Sequence, residues 1–266
     1  MNGLALYRRY LGISLRGQLQ YRASFVMQTF GQLLITGFEF LGIAALFARF
    51  GALGGFSLPE VAFFYGLCDV SFALADAMGR GFESVGTLLK SGDFDRLLLR
   101  PRSTVLQVLG QELTLKRFGR FAQGVVVMAW AAGAAHVVWT VPKVLLLLAA
   151  CAGGVCLFLG VFMLQAASCF WTIETLEIWN AFSYGGNFAA QYPLPIFRRW
   201  FRRFLMVVLP LACVNYWPAI AILDHPDPLG TPAFLPWVSP LAGGAFLALA
   251  WLAWRAGLRR YASTGS

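Results

Sequence analysis

The sequence predicts an all-α membrane protein: an N-terminal interfacial amphipathic helix followed by six transmembrane helices. Three observations carry this. Of 266 residues, 59% are hydrophobic and only 12% charged, with a mean hydropathy of +0.67; a soluble domain carries about 25% charged residues. Apolar runs of about 20 residues, enough to cross a bilayer, recur along the chain with short polar connections. Basic residues gather beside these runs in the positive-inside pattern, which accounts for the net charge of +9 without a nucleic-acid partner. The whole chain, 1–266, reads as one transmembrane domain.

Within residues 1–22, Leu4, Tyr7, Leu11 and Leu15 share one helical face and Arg8, Arg9 and Arg16 lie elsewhere, as in a helix resting on the inner leaflet. Arg8-Arg9 is not read as an export signal, because Arg16, Gln18, Gln20 and Arg22 follow in place of an apolar core. The first span covers about 23–47 and a Gly-rich turn, 51–57, leads into a second span at about 61–78. A polar stretch, 79–120, comes next. The third span covers about 121–139, Val141-Pro142-Lys143 turns the chain, and the fourth covers about 144–167. The last runs over about 235–254 and ends at Arg255, Arg259 and Arg260.

Two readings compete for the fifth span. Hydropathy selects 204–223, which leaves Arg198, Arg199, Arg202 and Arg203 on the inner side with only Arg49 and Lys143 facing out. Pro210 and Pro218 break that segment, however. The other reading takes 172–192 as the span, despite Glu174, Glu177 and Asn180, and makes 193–234 an external loop with a broken re-entrant hairpin, tolerable where it packs on protein. Both place the two termini in the cytoplasm.

Within the polar stretch, Gly92-Asp93-Phe94-Asp95-Arg96-Leu97-Leu98-Leu99-Arg100-Pro101-Arg102 has the marks of a short rigid helix. Asp93 or Asp95 is placed to cap its first N–H groups, Leu97 and Leu98 form an apolar edge, and Pro101 stops it. A charged helix between two spans implies that something docks there.

Other chemistry is missing from the sequence. Gly86-Thr87-Leu88-Leu89-Lys90-Ser91 ends like a phosphate loop, but Leu89 stands where the glycine belongs. His136 and His225 sit in no metal-ligand pattern and no nucleophile elbow occurs. Cys68, Cys151, Cys156, Cys169 and Cys213 lie in apolar runs as packing residues. Gly153-Gly154 and Gly243-Gly244 suit close helix approach.

Intramembrane acids cost about 3 kcal/mol each when facing lipid, so they turn inward. Asp69 and Asp76 share a face two turns apart, and Glu174 and Glu177 share another. With Asn180 they define either an acidic route for a cationic solute or acids paired with nearby basic residues, Arg80 in the case of Asp76.

An interfacial helix, six spans and a charged helix after the second together resemble the ABC-2 type permeases, the membrane subunits of ABC exporters. The strings Gly92 to Pro101, Phe170-Trp171-Thr172-Ile173-Glu174, Tyr184-Gly185-Gly186-Asn187, Gln191-Tyr192-Pro193-Leu194 and Tyr261-Ala262-Ser263-Thr264-Gly265-Ser266 resemble a branch of small bacterial permeases linked to drug or viologen-type export. The resemblance implies that 92–102 is the coupling helix of a separate ABC ATPase present in two copies. ATP and Mg are then bound on that partner and no cofactor on this chain. It further implies a second permease subunit, either a related protein or a second copy of this chain, a bacterial inner-membrane location, and export of a small hydrophobic or cationic compound. Tyr192-Pro193-Leu194-Pro195 matches the start of the family's external hairpin. The competing classes are an ATP-independent channel or secondary transporter, and a membrane-embedded enzyme.

Overall fold

The structure, a computed structural model, describes residues 22–111, 117–172 and 176–261, together with positions 12, 16, 17 and 20. The expected interfacial helix lies almost wholly outside the described residues. Six long helices organise the rest: α1 (Arg22–Phe50), α2 (Leu58–Gly79), α3 (Phe118–Ala134), α4 (Val141–Ser168), α5 (Leu176–Ala190) and α6 (Leu241–Arg260). Among the described residues the only non-helical pairing is an isolated bridge of Leu53 with Phe56, inside the turn between α1 and α2.

The helices alternate in direction, so the molecule has two ends. The turn end holds 51–57; the segment end holds 92–102, which follows the far end of α2. α2 is the central helix and packs against α3 and α4, while α4 packs along α6. Small residues set these contacts. A Cβ on Gly66 would fall 2.7 Å from the carbonyl oxygen of Gly124, and a Cβ on Gly154 would fall 2.6 Å from Cβ of Ser71. Gly243 lies directly against the Gly153 backbone, so the paired glycines bring α4 and α6 together as expected.

α1, α2, α4 and α6 are long and apolar enough to cross a bilayer, and α2 continues in helical and turn backbone as far as Lys90. α3 is shorter than the expected third span. It stops at Ala134 because the chain turns at His136, whose φ of 52° is left-handed. The expected last span divides at Ser239-Pro240 into a short helix, Leu235–Val238, and α6, which runs on to Arg260. Pro240 lacks the N–H that a continuous helix would need and instead begins the next one.

Residues 204–223 do not form a straight span. The arms Arg199–Val208 and Ala212–Ile222 meet at 81° around Pro210. Each arm contains a π-helical stretch, and Leu209 N–H reaches back to Phe204 carbonyl at 3.0 Å; Pro210 and Pro218 remove two of the donors an α-helical ladder would use. Both ends of the bent pair return to the turn end. Ile196 lies against Gly54, and His225 Nδ1 lies 2.7 Å from Glu60 Oε1 and stacks on Phe56. Lys143 Nζ meets Asp224 Oδ2 at 2.5 Å, tying the same loop to the start of α4. The arginine run 198–203 therefore sits at the turn end, opposite to 92–102.

Candidate functional site

The segment end is built on aromatic packing. Gly92, at φ +74°, turns the chain out of the helical stretch ending at Lys90. The helix that follows is Phe94–Leu98. Phe94 is fully buried, with ring centroids 5.4 Å from Phe170, 5.2 Å from Tyr261 and 6.4 Å from Trp254. Phe170 and Trp254 pack edge-to-face at 5.2 Å, and Phe82 joins Trp254 at 5.8 Å. Edge-to-face pairs place a positive ring edge on a negative face and contribute about 0.5–1.5 kcal/mol each beyond burial.

Directional bonds hold the backbone above this cluster. Tyr261 hydroxyl donates to Asp95 Oδ1 at 2.9 Å, and Trp254 Nε1–H donates to Thr104 Oγ1 at 3.2 Å. The buried Gln107 amide donates to the carbonyls of Leu97 and Arg102 at 3.0 and 3.1 Å. The short helix is thus fixed to the ends of α4 and α6. Its other side is open: Arg96, Leu98, Arg100, Pro101 and Arg102 are exposed, and Leu99 is 84% exposed.

Three expectations for this segment change. Asp93 occupies the N-cap position, but its backbone is helical rather than extended and its side chain makes no cap bond. It accepts instead from Ser91 hydroxyl at 2.9 Å and pairs with Arg96 at 3.0 Å. The helix ends at Leu98, before Pro101 can act. The apolar edge also divides: Leu97 turns into the core while Leu98 and Leu99 face out.

A second constellation lies midway along α2 and is polar. Asp69, fully buried, accepts from Arg120 Nε at 3.2 Å and Nη2 at 2.9 Å, from Gln191 at 3.2 Å and from Asn187 at 3.5 Å. Glu39 of α1 stands 3.8 Å from the same guanidinium, and Arg120 also lies over the Phe72 ring at 4.9 Å. Two turns along, Asp76 pairs with Arg117 at 2.8 Å. The register explains both pairs: Asp69 and Asp76 line one face of α2, and antiparallel α3 presents Arg120 and Arg117 on its facing side.

Asp69 and Asp76 are therefore held by arginines across the helix interface and have almost no exposed surface. Arg80 pairs with Glu83 at 2.6 Å. Asn180 is half-buried on α5, where its carbonyl accepts from Ser183 hydroxyl at 3.4 Å. Glu174 and the side chain of Glu177 lie outside the described residues. Of the expected pathway residues that are described, Asp69 and Asp76 lie at the interface with α3 and Asn180 lies on α5. Sequence reasoning missed Arg117 and Arg120, which were assigned to the polar stretch. Their spacing of three, which puts both on one helical face, was the available signal.

A third feature is a groove of about 320 Å³ between α5 and the arm 199–208. Phe182, Gly186, Trp200, Phe201, Phe204 and Leu209 line it.

The family model described as ABC-2 family transporter protein matches residues 33–265. The chain belongs to the ABC-2 family. No curated protein and no solved structure matches it. The match takes in the braced segment, the polar cluster and the groove. As an ABC-2 protein the chain is a multi-pass membrane subunit of permease type, and membership implies association with an ABC ATPase subunit.

Proposed function

We propose that this ABC-2 chain is the membrane-spanning subunit of an ATP-driven exporter in a bacterial inner membrane, with residues 92–102 as its coupling helix. The observation that carries this is the two-sided construction of the segment. Phe94 and Leu97 lock it to α4 and α6, while Leu98, Leu99 and Arg100 are presented outward with no intramolecular use for the two leucines. A rigid element ending in exposed leucines transmits displacement, because force applied to it moves the ends of α4 and α6 with it.

In this reading two ATPase copies bind ATP and Mg and this chain binds no cofactor. A second, related permease completes the membrane unit, and the exposed apolar surface of α1, including Met27, Phe30 and Phe38, faces either that partner or lipid. Both termini and the segment end are cytoplasmic; the turn end, with the bent pair, is external. Closure of the ATPase dimer on ATP favours one membrane conformation over the other by its differential binding energy. The cargo is a small compound with a hydrophobic body. A cationic cargo draws no support from Asp69 and Asp76, since each is held by an arginine.

The test is co-purification of the full-length chain with its ATPase, identified by a phosphate-loop sequence in the captured protein. Capture by the wild type and loss with Leu99→Asp or Arg100→Glu, at unchanged thermal stability, is the expected result. Capture undiminished by both substitutions overturns the assignment of 92–102.

A further inference from the structure

The arginine run at the turn end contradicts the charge pattern of the rest of the chain. Arg198, Arg199, Arg202 and Arg203 lie opposite to the end where the other basic residues collect, although basic residues resist placement on the translocated side. Among the described residues, no carboxylate lies within ion-pair distance of any of the four. Arg198, Arg199 and Arg203 are exposed. These charges do not hold the fold together through salt bridges.

Their helix also supplies one wall of the groove against α5. Trp200 and Phe201 line it, with Phe204 and Leu205 a turn later. With about 100° between successive helical residues, Arg203 and Arg202 flank that lining stripe on its two sides. Within the wall, Phe201 and Phe204 stack at 5.9 Å with rings 8° from parallel, and Phe204 stacks on Phe182 of α5 at 5.8 Å. Trp200 is 67% exposed at the edge of this stack. Gly186 keeps the facing side open: a Cβ there would fall 2.9 Å from Leu209 Cδ2. The volume of about 320 Å³ is that of a small-molecule site.

We infer that this groove binds an amphiphile with an apolar or aromatic body and an acidic head group, and that such compounds are the cargo class of the transporter. The aromatic stack takes the apolar body. Flexible guanidinium groups at the rim reach the head group as bidentate donors, which suits a carboxylate, sulfonate or phosphate. Among the described residues no carboxylate lines the groove, so none there offers a cation a counter-charge. This inference rests on the transporter reading for the word cargo, but the site itself does not.

The full-length chain in phosphatidylcholine nanodiscs, titrated with 1-anilinonaphthalene-8-sulfonate, tests the site without any ATPase. Saturable binding above empty discs is expected, weakened about tenfold or more by the double substitution Arg202→Glu/Arg203→Glu and by added salt. Trp200→Ala, at an exposed position, weakens it while leaving thermal stability unchanged. Tetraphenylphosphonium, an aromatic cation, does not compete. Equal affinity in the charge-reversed variant, or effective competition by the cation, overturns the inference. Loss of sulfonate binding in discs enriched in phosphatidylglycerol would make the groove a structural-lipid site and overturn the cargo assignment. ATPase capture is scored separately, so failure here leaves the coupling reading standing, and failure there leaves this site standing.

Discussion

The aromatic cluster under Phe94 and the charged cluster around Asp69 do the same job, joining helices, by opposite physics. At the segment end, rings from 82, 94, 170, 254 and 261 pack edge-to-face and leave one surface bare. Midway along α2, directional bonds converge on one carboxylate oxygen and leave no surface at all. Dispersion contacts tolerate small tilts of their partners, whereas a buried ion pair is disrupted by them. The first arrangement suits an element that is pushed. The second suits helices that move as one body, α2 with α3.

Breaking the charged cluster gives the largest effect. Asp69→Ala leaves Arg120 buried with only Glu39 nearby at 3.8 Å, and about 3–5 kcal/mol of stability is lost. The double variant Asp69→Ala/Arg120→Met recovers much of it, since a buried charge no longer lacks its partner; thermal melts in detergent of the single and double variants check this. Phe94→Ala comes next. It opens a cavity in the aromatic cluster and costs about 3 kcal/mol, together with loss of coupled transport, whereas Asp69→Ala/Arg120→Met keeps the segment in place. Equal loss of coupling in both would erase the distinction between the two regions.

A smaller change sharpens it. Tyr261→Phe removes one bond to Asp95 and keeps the ring in place, costing about 1 kcal/mol, read as faster amide exchange over 94–98 with the remaining helices unchanged. The least effect is at the turn end. Burial alone would raise Asp227, but hydrogen bonds from Thr231 hydroxyl, the amides of Leu229 and Thr231 and the Tyr216 hydroxyl bring it below its ordinary value of 3.8. Its hold on the loop is complete above about pH 4 and fades as pH falls through the lowered folded value. Amide exchange over 227–231 therefore accelerates only in strong acid, while exchange over 94–98 gains nothing from that group.

Hydropathy made α1, α2, α4 and α6 legible, because each is one continuous apolar run. Residues 204–223 were not: they are apolar enough for a span, yet the chain bends by 81° around Pro210. Hydropathy measures transfer to lipid and does not register a backbone that cannot continue. The short helix within 92–102 was legible from its charge and position, but its orientation was not. The same alternation Phe94-Asp95-Arg96-Leu97-Leu98 has apolar residues on both faces, and only the rings of Phe170, Trp254 and Tyr261, distant in sequence, decide which turn in. Asp69 and Asp76 were legible as inward-facing acids. Their partners Arg120 and Arg117 were hidden at the border of a polar stretch, where basic residues are normally solvated.

The central claim is that force enters through the bare surface of 98–100 and travels through the aromatic cluster. The direct measurement is the ratio of cargo transported to ATP hydrolysed in vesicles holding the permease and its ATPase, compared between wild type and Leu99→Asp. The account predicts a collapse of that ratio in a variant that melts at the wild-type temperature. An unchanged ratio would contradict it.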